Sequence, residues 1–410
     1  MTIIEFYDRA GIENIAGSIL CNPERMILVG DAREKMQKSR EVYRSILKKR
    51  GIKTEINCIY LDKNNLNSIV SILESIVTEY GDCIFDLTGG EELYLVGVGI
   101  IMEKYKSKVQ CHRFNFVDNM LYDCDADGNV CSTAPFIFSI EENIGFYGGR
   151  LVTDPTKPLY TYQWSFSDEF LKDINLMWSI CKKHTGQWNS QTSAFGLLFD
   201  MFADKDSLTV NYTEAIARDH FISANVTYNS FPWIISQLVE YKLIKYSNYY
   251  GQVTIEFKNS QIKRVLTTAG QLLEVYVASV LKSLKNNDGS PLYHDIIVGA
   301  IIDWDHDSPE EEIRTINEID VIAMKGAIPV FISCKNGFFD VNELYKLNTV
   351  ANRFGGKYVK RVLAASKSFS GNAKYSQLRS RMEDMNILFL DSISLTSTES
   401  FASILSSLWI

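Results

Sequence analysis

The sequence has 410 residues, 46% of them hydrophobic and 22% charged, with a formal charge of −8. That is enough chain for two or three domains of ordinary soluble composition. No apolar run of 18 residues is available to cross a membrane, and the acidic balance argues against a sequence-wide electrostatic grip on nucleic acid, though not against a local basic channel. The eight cysteines form no C-x-x-C and read as reduced core thiols of a cytoplasmic protein. "MTIIEFYDRAGIEN" has no basic start leading into an apolar stretch and is not read as a signal peptide.

Residues 1 to about 115 alternate strand and helix signals. The spacing predicts helices over Gly11–Leu20, Arg33–Arg50, Leu66–Tyr80 and Glu91–Tyr105, set between strand runs such as "RMILVGD" and "CIFDLTGG". Short apolar runs separated by helices indicate an α/β unit with a doubly wound parallel sheet. Such sheets bind ligands beyond the carboxyl ends of their strands. "FDLTGGEEL" places Thr88, Gly89, Gly90 and Glu91 at one such end. Glycines there allow close backbone approach, and amides at a helix start hold anions; the plainer reading is a tight turn capped by Thr88. Tyr7–Asp8–Arg9 and Gly30–Asp31 end neighbouring strands and are expected to border the same pocket. "DCDADGN" (123–129) begins like a calcium loop, but Ala134 stands at its twelfth position, so a hairpin turn at Asp127–Gly128 is expected.

"TDPTKPLY", with Pro155 and Pro158, reads as a linker. Residues 165–250 read as mostly helical. "FPWIISQLVEYKLIKYSNYYGQVTIEFK" then reads as a helix and two strands around a turn at Tyr250–Gly251, a winged-helix-like pattern whose helix carries few basic residues for reading DNA. The expected units are residues 1–150, 151–264 and 265–410.

From about residue 265, "GQLLEVYVASVLKSL" reads as a helix and "DIIVGAIIDW" as a strand, with a solvated acidic loop in "DWDHDSPEEE" (303–312). "NEIDVIAMKGAIPVFISCKNG" (317–337) reads as two strands around a turn at Lys325–Gly326, followed by a helix over Val341–Phe354. Strand alternation puts Glu318 and Asp320 on one face, and Ser333 and Lys335 on one face of the next strand. In register, two carboxylates and an ammonium converge, and Glu274 on the preceding helix adds a third acid. Buried unpaired charge is costly, and hard divalent cations take carboxylate ligands. A lysine beside metal-bound water stabilises charge on a phosphate, so the set suits phosphodiester hydrolysis. An exposed charged hairpin is the plainer reading; against it, "IPVFISCKNG" is apolar on both faces, as buried strands are. Five scattered histidines show no zinc spacing, and Cys334 reads as a core filler on the face opposite Lys335.

Glu274, Asp320 and "SCK" at 333–335 resemble the PD-(D/E)xK nuclease core, with Ser333 standing where that core usually has Glu or Gln. Together with "GQLLEVYV", "NEIDV", "ISCKNG" and "RFGGKYVK", they resemble the CARF-domain effector nucleases of type III CRISPR systems, over most of the chain. The resemblance implies an N-terminal Rossmann-like CARF domain, a winged-helix-like connector and a C-terminal restriction-endonuclease-like α/β domain. It implies a metal-dependent endonuclease of antiviral defence, activated by a cyclic oligoadenylate such as cyclic tetra-adenylate and acting on DNA and/or RNA. Mn²⁺ or Mg²⁺ would be held by Glu274 and Asp320, with Glu318, Ser333 and Lys335 completing the catalytic set. Asp8, Arg9, Gly30, Asp31, Thr88, Gly89, Gly90 and Glu91 would border the messenger. A cyclic ligand with repeated nucleotides suits a two-fold site, hence a homodimer. Tyr345 and Lys346 are further expected near the substrate phosphate. The alternative from another class is a transcription regulator with an inert C-terminal domain.

Overall fold

The computed structural model describes residues 1–8, 11–106, 108–124, 130–132, 135–223, 232–304, 315–369 and 373–409. Arg9, Asp127–Gly128 and most of the acidic loop at 303–312 lie outside them. The N-terminal unit contains β1 (Thr2–Phe6), α1 (Ala16–Cys21), β2 (Arg25–Gly30), α2 (Arg33–Lys49), β3 (Glu55–Tyr60), α3 (Leu66–Tyr80), β4 (Cys83–Asp86), α4 (Glu92–Lys104), β5 (Val109–Asn115), β6 (Met120–Asp123) and β7 (Val130–Ser132). They form one sheet in the order β3-β2-β1-β4-β5-β6-β7. β1 to β5 are parallel and β6 and β7 antiparallel. The order reverses at β1, so the ends of β1, β2 and β4 flank a topological switch point.

The helical stretch expected near Gly11–Leu20 is made of two pieces, a 3₁₀ turn at Gly11–Asn14 and then α1. The break turns Asn14 inward. Its Nδ2 donates to the Phe6 carbonyl at 2.5 Å, and its Oδ1 accepts from the Asp8 amide at 3.0 Å.

The chain continues through α5 (Ile140–Phe146), β8 (Arg150–Leu151), α6 (Asp168–Cys181), α7 (Thr185–Phe202), β9 (Thr209–Thr213), α8 (Glu214–Ser223), α9 (Pro232–Glu240), β10 (Ile244–Tyr249), β11 (Gln252–Phe257) and α10 (Ser260–Thr267). β10, β11 and β9 form a small antiparallel sheet. Tyr250 and Gly251 between β10 and β11 both take positive φ, 49° and 81°, as a tight two-residue hairpin requires. β9 interrupts a region read as helical; its buried Val210 and Tyr212 alternate with exposed Asn211, a signal only two side chains long.

The C-terminal unit is α11 (Gln271–Ser283), β12 (Asp295–Asp303), β13 (Ile316–Lys325), β14 (Ile328–Lys335), α12 (Val341–Phe354), β15 (Lys360–Ala365), α13 (Ala373–Asp384), β16 (Ile387–Leu390) and α14 (Thr398–Ser406). Its sheet runs β16-β15-β14-β13-β12-β8, so the two residues of β8 at the boundary read near residue 150 form its edge. Lys325 pairs with Ile328, which puts the hairpin loop at Gly326–Ala327, one residue later than expected, with Gly326 at φ 59°.

This sheet is buried on both faces. Val321, Ala323, Val330 and Ile332 point into a core shared with α11 and the middle region. Ile322, Met324 and Phe331 point into a core shared with Met26 and Leu28 of the N-terminal sheet and with α12. α11 is apolar on nearly every side, as a helix enclosed between layers must be. Its Tyr276 stacks between Trp178 and Phe401, with ring centroids 4.4 Å and 6.1 Å away. Tyr276→Ala is expected to cost about 3–5 kcal/mol in urea unfolding, as other buried aromatic truncations do; a cost below about 1 kcal/mol would mean that α11 is not a central support.

Candidate active site and ligand loop

The antiparallel ladder between β13 and β14 ends at Val321–Ile332. β14 remains paired with β15 through Lys335. Beyond Ile332 the amide of Cys334 has lost its strand partner, and the side chain of Asp320 replaces it: Oδ2 accepts from the Cys334 N–H at 2.6 Å and from the Ser333 hydroxyl at 3.2 Å. The strands fork at this point, and the expected site residues line the fork. Glu318, Asp320 and Ser333 share a small cleft with Glu343 and Lys346 of α12. Lys335 opens onto an adjoining cleft of about 430 Å³ with Phe338, Phe339, Asp340 and Glu343.

Glu274 reaches the fork from the first turn of α11, where Gln271 Nε2 donates to its Oε2 at 2.6 Å. Burial raises its pKa well above the ordinary carboxylate value, and the charges of Asp320 and Glu318 raise it further. Burial also raises Asp320, against the opposing pull of Lys335. Burial alone would lower Lys335, but Asp320 and Glu343 outweigh it, so its ammonium is held protonated. Burial drives the Cys334 thiol well above its usual pKa, which makes it an inert filler rather than a nucleophile.

Glu343 was not singled out from sequence. Its Oε2 lies 2.5 Å from Lys335 Nζ. Nothing in the local pattern of α12 marks it; only the packing of α12 over β14 brings it to the lysine. Tyr345, 42% exposed, accepts a hydrogen bond from Arg381 at 2.6 Å. Among the described residues, no three His, Cys, Asp or Glu side chains already stand close enough together to hold a metal ion. The fork nevertheless collects four carboxylates (Glu274, Glu318, Asp320, Glu343) against two ammonium groups (Lys335, Lys346). Two formal negative charges are left over, and the Asp320 and Glu318 charges add to burial in raising the pKa of Glu274. A divalent cation with two carboxylate ligands and several waters fits that donor set.

The loop at Thr88–Glu91, expected to border a ligand, lies at the switch point of the N-terminal sheet. Thr88 is held from below: its amide and hydroxyl both donate to Asp86 Oδ1, the amide at 2.8 Å, and its oxygen accepts from the Phe114 amide at 2.7 Å. Gly89 packs where an added Cβ would stand 3.1 Å from Asp8 Cβ and 3.3 Å from Glu13 Cβ. Gly90 has φ 107° and an added Cβ would stand 2.6 Å from Phe6 Cβ, so any larger residue there is excluded. Gly30 and Asp31 end β2 beside β1. Lys63, also missed in the sequence, bridges Glu91 at 2.9 Å and Asp31 at 3.5 Å and supplies the cation that the loop itself lacks. Under the loop Asp86 meets His112, 3.1 Å away, beside buried Glu5.

Glu13, beside Gly89, ties the N-terminal unit to the C-terminal one. It is 1% exposed and takes Lys357 Nζ at 2.9 Å and the Tyr358 hydroxyl, both from the loop that follows α12.

No family model matches the sequence, and no curated protein does. Solved structures share its fold. Protein VC1899 from Vibrio cholerae is 16% identical, with the match covering 100% of this chain and 97% of that one at a TM-score of 0.71. Can2 from Sulfobacillus thermosulfidooxidans, solved in complex with cyclic tetra-adenylate, is 15% identical, covering 100% and 99% at a TM-score of 0.65. At these identities the likeness establishes the architecture, a mixed α/β chain matched from end to end. Among the described residues no helix is long and apolar enough to cross a membrane.

A pH-dependent prediction follows from Glu274. Its raised pKa makes the folded chain bind a proton more tightly than the unfolded chain, so ionisation costs stability above that pKa, and the cost disappears as the pH falls through it. In the presence of a chelator, Glu274→Gln should melt about 2–4 °C above the wild type at pH 8, with the gap closing toward pH 5. Equal melting at both pH values would show that the carboxylate carries no burial cost.

Proposed function

We propose that the chain is a cyclic-oligoadenylate-activated, metal-dependent nuclease. In this reading residues 1–150 form a CARF sensor, 151–264 a winged-helix-like connector and 265–410 a PD-(D/E)xK nuclease domain. The protein works in the cytoplasm as a homodimer that encloses the cyclic messenger, cyclic tetra-adenylate being the favoured ring, and it cleaves DNA and/or RNA in antiviral CRISPR defence. The observation that carries the reading is the convergence of Glu274, Asp320 and Lys335, from three elements, at the fork between β13 and β14. The end-to-end likeness to Can2, solved with its cyclic tetra-adenylate, supports the sensor half.

Glu274 and Asp320 would hold Mn²⁺ or Mg²⁺, which when bound supplies an activated water and neutralises phosphate charge. Lys335 is too firmly protonated to act as a base. It donates hydrogen bonds to the phosphate oxygens as negative charge builds on them, while the attacking oxygen bonds to phosphorus and the bridging oxygen leaves. The neutral hydroxyl of Ser333 keeps Asp320 oriented. Phe338 is 78% exposed beside Lys335, with Lys367 5.4 Å from its ring, and offers a face on which a base stacks. Messenger binding acts through Glu13: a ligand that shifts Asp8 and Gly89 shifts Glu13, and with it the Lys357–Tyr358 loop and α12, which carries Glu343 and Lys346. Activation needs only a difference in messenger affinity between the two positions of that unit.

The test is cleavage of labelled single-stranded DNA, plasmid and single-stranded RNA with Mn²⁺, with and without cyclic tetra-adenylate. Wild type should cut only with the messenger, and Lys335→Ala should lose about a hundredfold or more of that rate. Cutting without messenger would remove the sensor, and sequence-specific duplex binding with no cutting would favour a transcription regulator. Glu13→Gln should keep messenger binding within about threefold yet reduce activation about tenfold; full activation in that variant would break the proposed route between the sites.

A further inference from the structure

We propose that Glu343 supplies the carboxylate that β14 lacks at Ser333, so that the divalent cation is held by acids from three elements: Glu274 of α11, Asp320 of β13 and Glu343 of α12. The inference rests on the nuclease reading above and concerns how this chain carries it out with a serine on the strand.

Ser333 is a poor ligand for a hard cation. Its hydroxyl is neutral and is committed to Asp320 Oδ2 at 3.2 Å. Two acids stand close enough to replace a strand carboxylate, Glu318 and Glu343, because both line the cleft that Asp320 and Ser333 line. Glu318 is the weaker candidate. It is exposed at the rim, and its Oε1 lies over Gly299 of β12, 3.7 Å from where a Cβ would stand, on the side away from β14. Glu343 faces β14 directly, 2.5 Å from Lys335, two residues along from Ser333 on the same strand face. Its backbone is fixed: Asp340 caps α12, its side chain accepting from the Asn342 amide at 2.9 Å, and Leu344 and Leu347 anchor the same turns in the core.

Glu343 pairs with the Lys335 ammonium. A half-buried carboxylate needs a counter-charge, and the nearest one is that ammonium. A dication held by Asp320 and Glu274 would offer a stronger one, and Glu343, which lines the same cleft as Asp320, would turn to it. That exchange frees the Lys335 ammonium for the phosphate. One acid thus serves as the lysine's partner at rest and as a ligand when the site is loaded.

The experiment measures Mn²⁺ binding to the full-length protein by calorimetry without nucleic acid, beside messenger-dependent cleavage, for the wild type, Glu343→Gln, Glu318→Gln and the double variant Glu343→Gln/Ser333→Glu. Glu343→Gln should weaken Mn²⁺ binding and cleavage each by about tenfold or more, and Glu318→Gln by less than about threefold. The double variant should regain both to within about threefold, which a role confined to positioning Lys335 would not allow. Wild-type Mn²⁺ affinity in Glu343→Gln overturns the proposal and leaves the nuclease standing. The proposal is also overturned by a folded double variant, with its wild-type melting temperature, that recovers neither property. No Mn²⁺ binding and no cleavage by the wild type overturns the nuclease reading itself, and this proposal with it.

Discussion

Two carboxylates held half-buried against their own repulsion set the terms for the rest of this protein. Glu274 and Asp320 each cost folding energy, and neither is free to move away. α11 is fixed because almost every other side chain on it is enclosed, and β13 is fixed because its sheet is covered on both faces. Apolar burial on this scale holds polar groups where they would not choose to be. The fork of the strands, the ammonium of Lys335 and the surplus of acids are all responses to that imposed proximity.

A second consequence of covering both faces is that the chain has few independent parts. The core beneath β13 and β14 includes residues of β2 and α2, so the sheet that carries the acids also packs on the N-terminal unit. Glu13 is a charged group placed within that contact, and its partners lie 344 and 345 residues further on. Asp86 and His112 play a comparable part within the first sheet, where a buried acid orients Thr88 and is itself matched by a cation. For His112, burial opposes the charge and the Asp86 carboxylate more than offsets it, raising its pKa to about 10. In both places a loop is held by electrostatics from beneath, while its upper side is left for other contacts.

Much of this organisation was legible in the sequence, for local reasons. Helices α3 and α12 were placed residue for residue because Asn65 and Asp340 cap their starts and Gly81 and Gly355 follow their ends. The tyrosine–glycine turn and the face shared by Ser333 and Lys335 follow from strand period and turn chemistry alone. The errors arose where tertiary contact decides. Asn14 breaks a helix because Phe6 and Asp8 require its amide, and β9 exists because β11 offers it an edge. Lys63, Glu343 and Glu13 look like ordinary surface charges in the sequence; each acquires its role from a partner on another element, which no local pattern encodes.

The core shared by the two sheets also bears on how such a chain evolves. Units joined by flexible tethers can be exchanged by recombination as cassettes, because each brings a finished surface. Here Met26 and Leu28 share a core with Ile322 and Phe331, and Glu13 is bonded to Lys357 and Tyr358. A crossover at the apparent boundary near residue 150 would pair one lineage's knobs with another's holes and strand a buried acid. It would also separate Arg150 and Leu151 from the strand they edge. Diversification in this architecture must therefore proceed by matched drift across the contact, so that the two halves keep a common history.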